Sequence, residues 1–228
     1  MSTNGYYLDL ETYSLMKIKG IFKSTRLLPS QQILLENMDE KFACLEANGI
    51  ENLEQLRKAL RTKLAMQSFA EETGLPIDYL TILRREVNSY HPNPIAVKDF
   101  PGVNPDVVRK LQQIGIENTE QLFPYVLTRQ ARGEFAEQNQ IEQNDLLELT
   151  KLTDVARIKW VGPKFARLLI ESEYDTVENI ADSNYQELYL ALVRVNEKTG
   201  IYKGKFGIED MKSWVNIVVQ NVPRVIQY

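Results

Sequence analysis

Seven of eight consecutive positions of this chain are written twice. Gly49-Ile50-Glu51-Asn52-Leu53-Glu54-Gln55-Leu56 returns as Gly115-Ile116-Glu117-Asn118-Thr119-Glu120-Gln121-Leu122, displaced by 66 residues. Self-similarity at a fixed displacement is the mark of a repeated supersecondary unit. The same displacement carries Phe69-Ala70-Glu71 onto Phe135-Ala136-Glu137 and Leu80 onto Leu146, so the correspondence spans most of a unit. A weaker third copy begins at Glu173-Tyr174-Asp175-Thr176-Val177-Glu178-Asn179-Ile180, 58 residues beyond the second. It is shorter than its neighbour by eight residues.

Within each copy the residues spell a short apolar helix, a tight turn and a second capped helix. Gly49 and Gly115 suit a left-handed residue that ends a helix without a Cβ penalty. Asn52 and Asn118 are the expected N-caps, each followed three positions later by Gln55 or Gln121 at capping-box spacing. Thr176 stands at the equivalent place in the third copy. Later, Asn184 with Glu187 opens a helix whose Leu188, Leu192 and Val195 share a face, and Gly200 closes it. No segment alternates with period two, so the expected fold class is all-α.

Tyr90-His91-Pro92-Asn93-Pro94 is the sharpest punctuation, because two prolines impose an extended link. It predicts an N-terminal helical unit over 1–92 and two units packed as one body over 95–228. The second and third units are expected to share the helix-like stretch 144–158, which has neither proline nor glycine. The first 30 residues carry no readable pattern.

Composition narrows the chemistry. The chain has no continuous apolar segment of membrane-spanning length and no export signal, which makes the cytoplasm the default compartment. One cysteine, Cys44, and one histidine, His91, exclude an internal disulfide and the cysteine- or histidine-rich metal sites. Cys44 reads as small buried filler and His91 as solvent-exposed. The Glu71-Glu72 and Glu209-Asp210 pairs read as solvated acids at helical positions, and no serine elbow, nucleotide loop or carboxylate metal signature occurs. The expectation is a protein with no catalytic residues, no metal and no cofactor. A formal net charge of −4 also argues against a surface wholly devoted to nucleic acid.

The most informative segment is Ile158-Lys159-Trp160-Val161-Gly162-Pro163-Lys164-Phe165-Ala166-Arg167-Leu168-Leu169. Pro163 suits a first helical turn, Val161, Phe165, Leu168 and Leu169 make an apolar stripe, and Lys164 adds a charge to a helix start. Over 151–167 the basic residues Lys151, Arg157, Lys159, Lys164 and Arg167 face one acid, Asp154. This stretch is the expected local attractor for anions.

The segment looks like a helix-hairpin-helix motif. With Leu152-Thr153-Asp154-Val155-Ala156-Arg157-Ile158 and Asp175-Thr176-Val177-Glu178, the arrangement resembles a bacterial family of tandem helix-hairpin-helix proteins catalogued as a domain of unknown function. The resemblance is closest over 146–214. It implies tandem helix-hairpin-helix (SAM-like) repeats, and related hairpins in DNA-repair proteins and polymerases hold the DNA backbone without reading bases. By that analogy Lys159, Trp160, Val161, Gly162, Lys164 and Arg167 are the candidate nucleic-acid-binding residues, with DNA the partner and weak backbone contacts the mode. Three departures count against it. Trp160 stands where the motif has its first hairpin glycine, Asp106 stands in the second copy where Lys164 stands in the third, and the first copy reads Glu36-Asn37-Met38-Asp39-Glu40-Lys41.

Two readings therefore stand side by side. Gly162-Pro163 is either a phosphate-holding turn or only a compact link between helices. Trp160 is a stacking platform or, more commonly for tryptophan between helices, a core residue, and Trp214 reads as core. Tyr202-Lys203-Gly204-Lys205-Phe206-Gly207 is a second basic and aromatic loop, or a simple connection. The alternative to DNA binding is a protein-interaction adaptor that uses the repeat surface, with no nucleic acid and no membrane involved.

Overall fold

The computed structural model describes residues 5–25 and 27–228. Every element of regular structure among them is helical, and the extended pairing is limited to isolated bridges such as Ser14 with Asn52 and Ala96 with Asn118. The chain divides into two units, Leu8–His91 and a larger one formed by Pro92–Tyr228 together with the described residues 5–7. Residues 5–7 belong with the larger unit, where Tyr6 shares a 2.6 Å hydrogen bond with Thr119.

In the Leu8–His91 unit the helices are α1 (Leu15–Ser24), α2 (Met38–Ala47), α3 (Leu53–Ala59), α4 (Lys63–Thr73) and α5 (Ile77–Asn88). Apolar side chains from all five converge, among them Ile18, Phe42, Leu53, Leu56, Tyr79 and Leu83, each almost wholly buried. Asn52 caps α3 by accepting from Gln55 N at 3.0 Å, while Gln55 Oε1 accepts from Glu51 N at 2.6 Å. Helix α1 was not legible in the sequence. Its start is set from afar, since Leu15 N donates to Glu51 O and Leu53 N to Tyr13 O.

The larger unit contains α6 (Pro105–Gln113), α7 (Thr119–Leu122), α8 (Arg129–Gln138), α9 (Gln143–Val155), α10 (Pro163–Glu171), α11 (Val177–Asp182), α12 (Tyr185–Thr199) and α13 (Ile208–Ser213). Helix α9 covers the expected stretch over 144–158 only as far as Val155, and its Leu146, Leu149, Leu152 and Val155 are buried in one continuous core with residues on both sides of it in sequence. Asn118 and Gln121 form the reciprocal capping box, Thr176 accepts from Asn179 N at 3.0 Å, and Asn184 accepts from Gln186 N and Glu187 N. Gly200 closes α12 in the left-handed region at φ +62.

Backbone angles carry the repeat further than residue identities do. Gly49, Gly115 and Glu173 occupy equivalent positions and have φ of +78, +79 and +65. Gly74 and Gln140, related by the same 66-residue displacement, have φ of +70 and +53. The left-handed turn is kept even where glycine is not.

Two minor expectations are corrected. His91 is half-buried, and its Nε2 lies 2.8 Å from Leu8 O, which requires the proton on that nitrogen. Burial holds its pKa below the ordinary histidine range. Cys44 is half-buried rather than buried, with Sγ 3.5 Å from Thr73 O. No helix among the described residues is long and apolar enough to cross a membrane.

Candidate nucleic-acid interface at the Gly162 turn

Helix α9 ends at Val155, and the chain then turns through Arg157, Ile158 and Trp160 before α10 begins. The turn is tied by Ile158 N donating to Val155 O and Val161 N to Ile158 O, both at 3.1 Å. Trp160 takes the left-handed conformation at φ +72, and Gly102 takes the same one, at φ +80, 58 residues earlier. The bulky residue thus performs the backbone turn that glycine performs in the preceding copy. Its ring is not core: Trp160 is 53% exposed, with the Lys159 ammonium 4.3 Å from the ring centre. Trp214 is the core tryptophan, 3% exposed, and its indole N–H donates to Lys159 O at 3.1 Å.

Gly162 is the N-cap of α10, with φ −96 and ψ 175. That conformation is open to any residue, and a Cβ built on Gly162 would meet nothing within 4 Å. Nothing in the fold requires glycine here. What the missing side chain does is leave the start of α10 bare: no side chain caps it, no acid stands in its first turn, and Lys164 is exposed there.

The two equivalent helix starts differ. Helix α6 is capped by Asn104, whose Oδ1 accepts from Asp106 N at 3.0 Å, and Asp106 pairs with Arg109. Helix α2 carries Asp39 and Glu40 in its first turn, and Lys19 lies 2.6 Å from Asp39, holding its carboxyl below the usual carboxylate range. Both present carboxylates where α10 presents a lysine. Unpaired amides at a helix start, with the positive end of the dipole behind them, are suited to an anion only when no acid stands among them.

The basic stretch is dispersed by folding. Arg157 is buried, paired with Asp154, and donates to Gly5 O and Pro223 O. Arg167 is buried with its Nε donating to Pro101 O at 2.6 Å and its guanidinium paired with Glu148 and Glu171. It ties α9 and α10 to the Pro101-Gly102 turn rather than facing solvent. Lys151 pairs with Asp175, and Lys159 is 4% exposed. Of the five basic residues expected to act together, Lys164 alone is exposed. Val161 is buried core beside it.

Folding supplies other cations. The loop after α12 is brought against α10, because the Phe165 ring lies 5.1 Å from Tyr202, 5.8 Å from Phe206 and 5.8 Å from Trp214. Lys203 and Lys205 stand exposed on that loop. Gly204 permits its course: a Cβ there would come within 2.4 Å of the Tyr202 ring. The two segments singled out separately in the sequence thus meet through one aromatic cluster, a link that only Phe165 at the start of α10 could have hinted at.

Among the described residues no cluster of acids, histidines or cysteines could hold a metal ion. Comparison with protein families matches residues 101–218 to a domain of unknown function, DUF4332. No curated protein and no solved structure matches the chain. With that match covering more than half of its length, the chain belongs to the DUF4332 family.

Proposed function

We propose that this protein binds the phosphate backbone of DNA, without reading sequence, through the turn between α9 and α10. In this reading the repeats are helix-hairpin-helix units, and one of them keeps a working hairpin. The observation that carries it is the bare start of α10: an uncapped helix N-terminus with no acid, an exposed Lys164 and a glycine that the fold does not need. Amides at the turn and the Lys164 ammonium hold one phosphate, and Lys203 and Lys205 meet the neighbouring backbone. The exposed Trp160 ring lies beside the held strand. Such contacts position a duplex but carry no base information. Lys159 and Arg167 support the turn from within.

With about three phosphates neutralised, log K should fall with log salt with a slope of roughly −2 to −3, and affinity should sit near ~10⁻⁴ to 10⁻⁶ M. Fluorescence anisotropy of labelled duplex, single-stranded and branched DNA tests this. Lys164→Glu should abolish binding at near-physiological salt. Gly162→Ala should weaken it about tenfold while changing stability by less than about 1 kcal/mol. No binding at low salt, or equal binding by Lys164→Glu, would end the proposal and turn attention to protein partners.

A further inference from the structure

The internal repeat builds the same groove twice, and in only one of them does a further segment of the chain, at Tyr228, form part of the wall. In the larger unit, α8 and α9 border a cleft of about 570 Å3 whose walls include Arg129, Arg132, Leu147 and Lys151. In the Leu8–His91 unit, α4 and α5 border a cleft of about 280 Å3 whose walls include Lys63, Met66, Ile77, Thr81, Arg84 and Arg85. The 66-residue displacement carries Lys63 onto Arg129, Met66 onto Arg132, Thr81 onto Leu147 and Arg85 onto Lys151.

Tyr228 forms part of the wall of the α8–α9 groove and leaves the cleft beside it open. Gln227 N donates to Leu127 O at 2.8 Å, and Arg132 Nη1 donates to Gln227 O at 2.6 Å. The Tyr228 ring lies over the Arg132 guanidinium, and its hydroxyl donates to Asp154 Oδ2 at 3.0 Å. An extended strand bearing an aromatic side chain is therefore what this groove shape accepts.

In the α4–α5 groove the equivalent groups are present without such a segment. Arg61 stands for Leu127, and its carbonyl accepts instead from Arg84 Nη2 at 2.8 Å. Arg84 Nε is buried with no acceptor among the described residues. Met66 replaces Arg132, which turns the seat beneath an aromatic ring from a guanidinium into a thioether, a favourable partner for a ring. Asn88 replaces Asp154, so the carboxylate is gone. The ion pairs among the described residues of this unit use Lys19, Lys23, Arg57 and Lys58, leaving Lys63, Arg84 and Arg85 without one. No acid lines the groove.

We infer that the α4–α5 groove binds an extended peptide segment of a partner protein, carrying an aromatic residue next to an acidic one. The aromatic side chain sits on Met66 and Ile77. The carboxylate meets the exposed Arg85, and the peptide backbone competes with Arg84 for Arg61 O. An apolar floor under a cationic rim fits such a segment better than it fits a nucleic acid, which would leave the exposed Ile77 uncovered.

Selection of short random peptides displayed on phage against the intact protein tests this, followed by titration of the enriched peptide labelled with fluorescein. The expected consensus pairs Tyr, Phe or Trp with Asp or Glu. Its affinity should fall at least about tenfold in Arg85→Glu and stay unchanged in Lys164→Glu, with circular dichroism showing both variants folded. Absence of enrichment, a neutral or basic consensus, or equal affinity for Arg85→Glu would overturn the inference. So would two other results: Arg85→Glu removing binding of labelled DNA while no peptide binds, or Arg85→Glu dissolving a dimer seen by sedimentation while no peptide binds.

Discussion

At the residue scale, the left-handed positions show how much backbone geometry can persist after its usual residue has gone. Gly49 and Gly115 adopt φ near +79 at no steric cost, whereas Glu173 adopts +65 against the clash of its Cβ with the following carbonyl. Glu173 is exposed, so its side chain offers little in return. Glu173→Gly should raise stability by roughly 0.5–1 kcal/mol after the greater freedom of unfolded glycine is counted, seen as a higher urea midpoint with unchanged slope. An equal or lower midpoint would mean that Glu173 contributes a contact worth more than the strain. Trp160 presents the same backbone cost with a large exposed ring. Sequence patterns could place a turn at Trp160, but the exposure of its ring depends on Trp214 having taken the interior position beside Lys159.

At the element scale, the decisive object is the pair of helices α9 and α10 with the Pro101-Gly102 turn held between them. Arg167 is the tie: one side chain reaches Pro101 O, Glu148 and Glu171. Arg167→Met would leave the carbonyl of Pro101 unsatisfied, while Glu148 and Glu171 are exposed enough to be rehydrated. The expected loss is about 2–3 kcal/mol in chemical unfolding. DNA affinity per folded molecule should be unchanged if Arg167 only supports the turn; a parallel loss of affinity in the fully folded variant would place it at the backbone contact instead. The helices themselves were legible, because the Asn-Gln capping pairs and the apolar spacing over 144–158 are local signals. Helix α1 was not, because its boundary depends on bonds from Glu51 and Tyr13 that lie far away in sequence or outside the helix.

At the scale of the whole molecule, each unit keeps phenols in its interior. Burial raises Tyr13, Tyr79 and Tyr90 in the Leu8–His91 unit and Tyr6 in the larger one, with Tyr6 pushed up to about 12. A folded pKa above the unfolded value of about 10 means that this stability is intact below pH ~10 and is lost as pH rises toward the folded values, at up to about 1.4 kcal/mol per pH unit for each phenol. Alkaline titration should show a steep rise in phenolate absorbance that coincides with loss of helical circular dichroism. A gradual, non-cooperative rise with helices intact would contradict the burial of these rings. By itself the sequence determined the all-helical class and the capped helix starts, because each rests on residues within a few positions of one another. Which charges face solvent was decided by tertiary structure: Arg157 and Arg167 turned inward to satisfy carbonyls and carboxylates brought from other segments, while Lys203 and Lys205 stand exposed on a loop that aromatic contacts hold against Phe165 of α10.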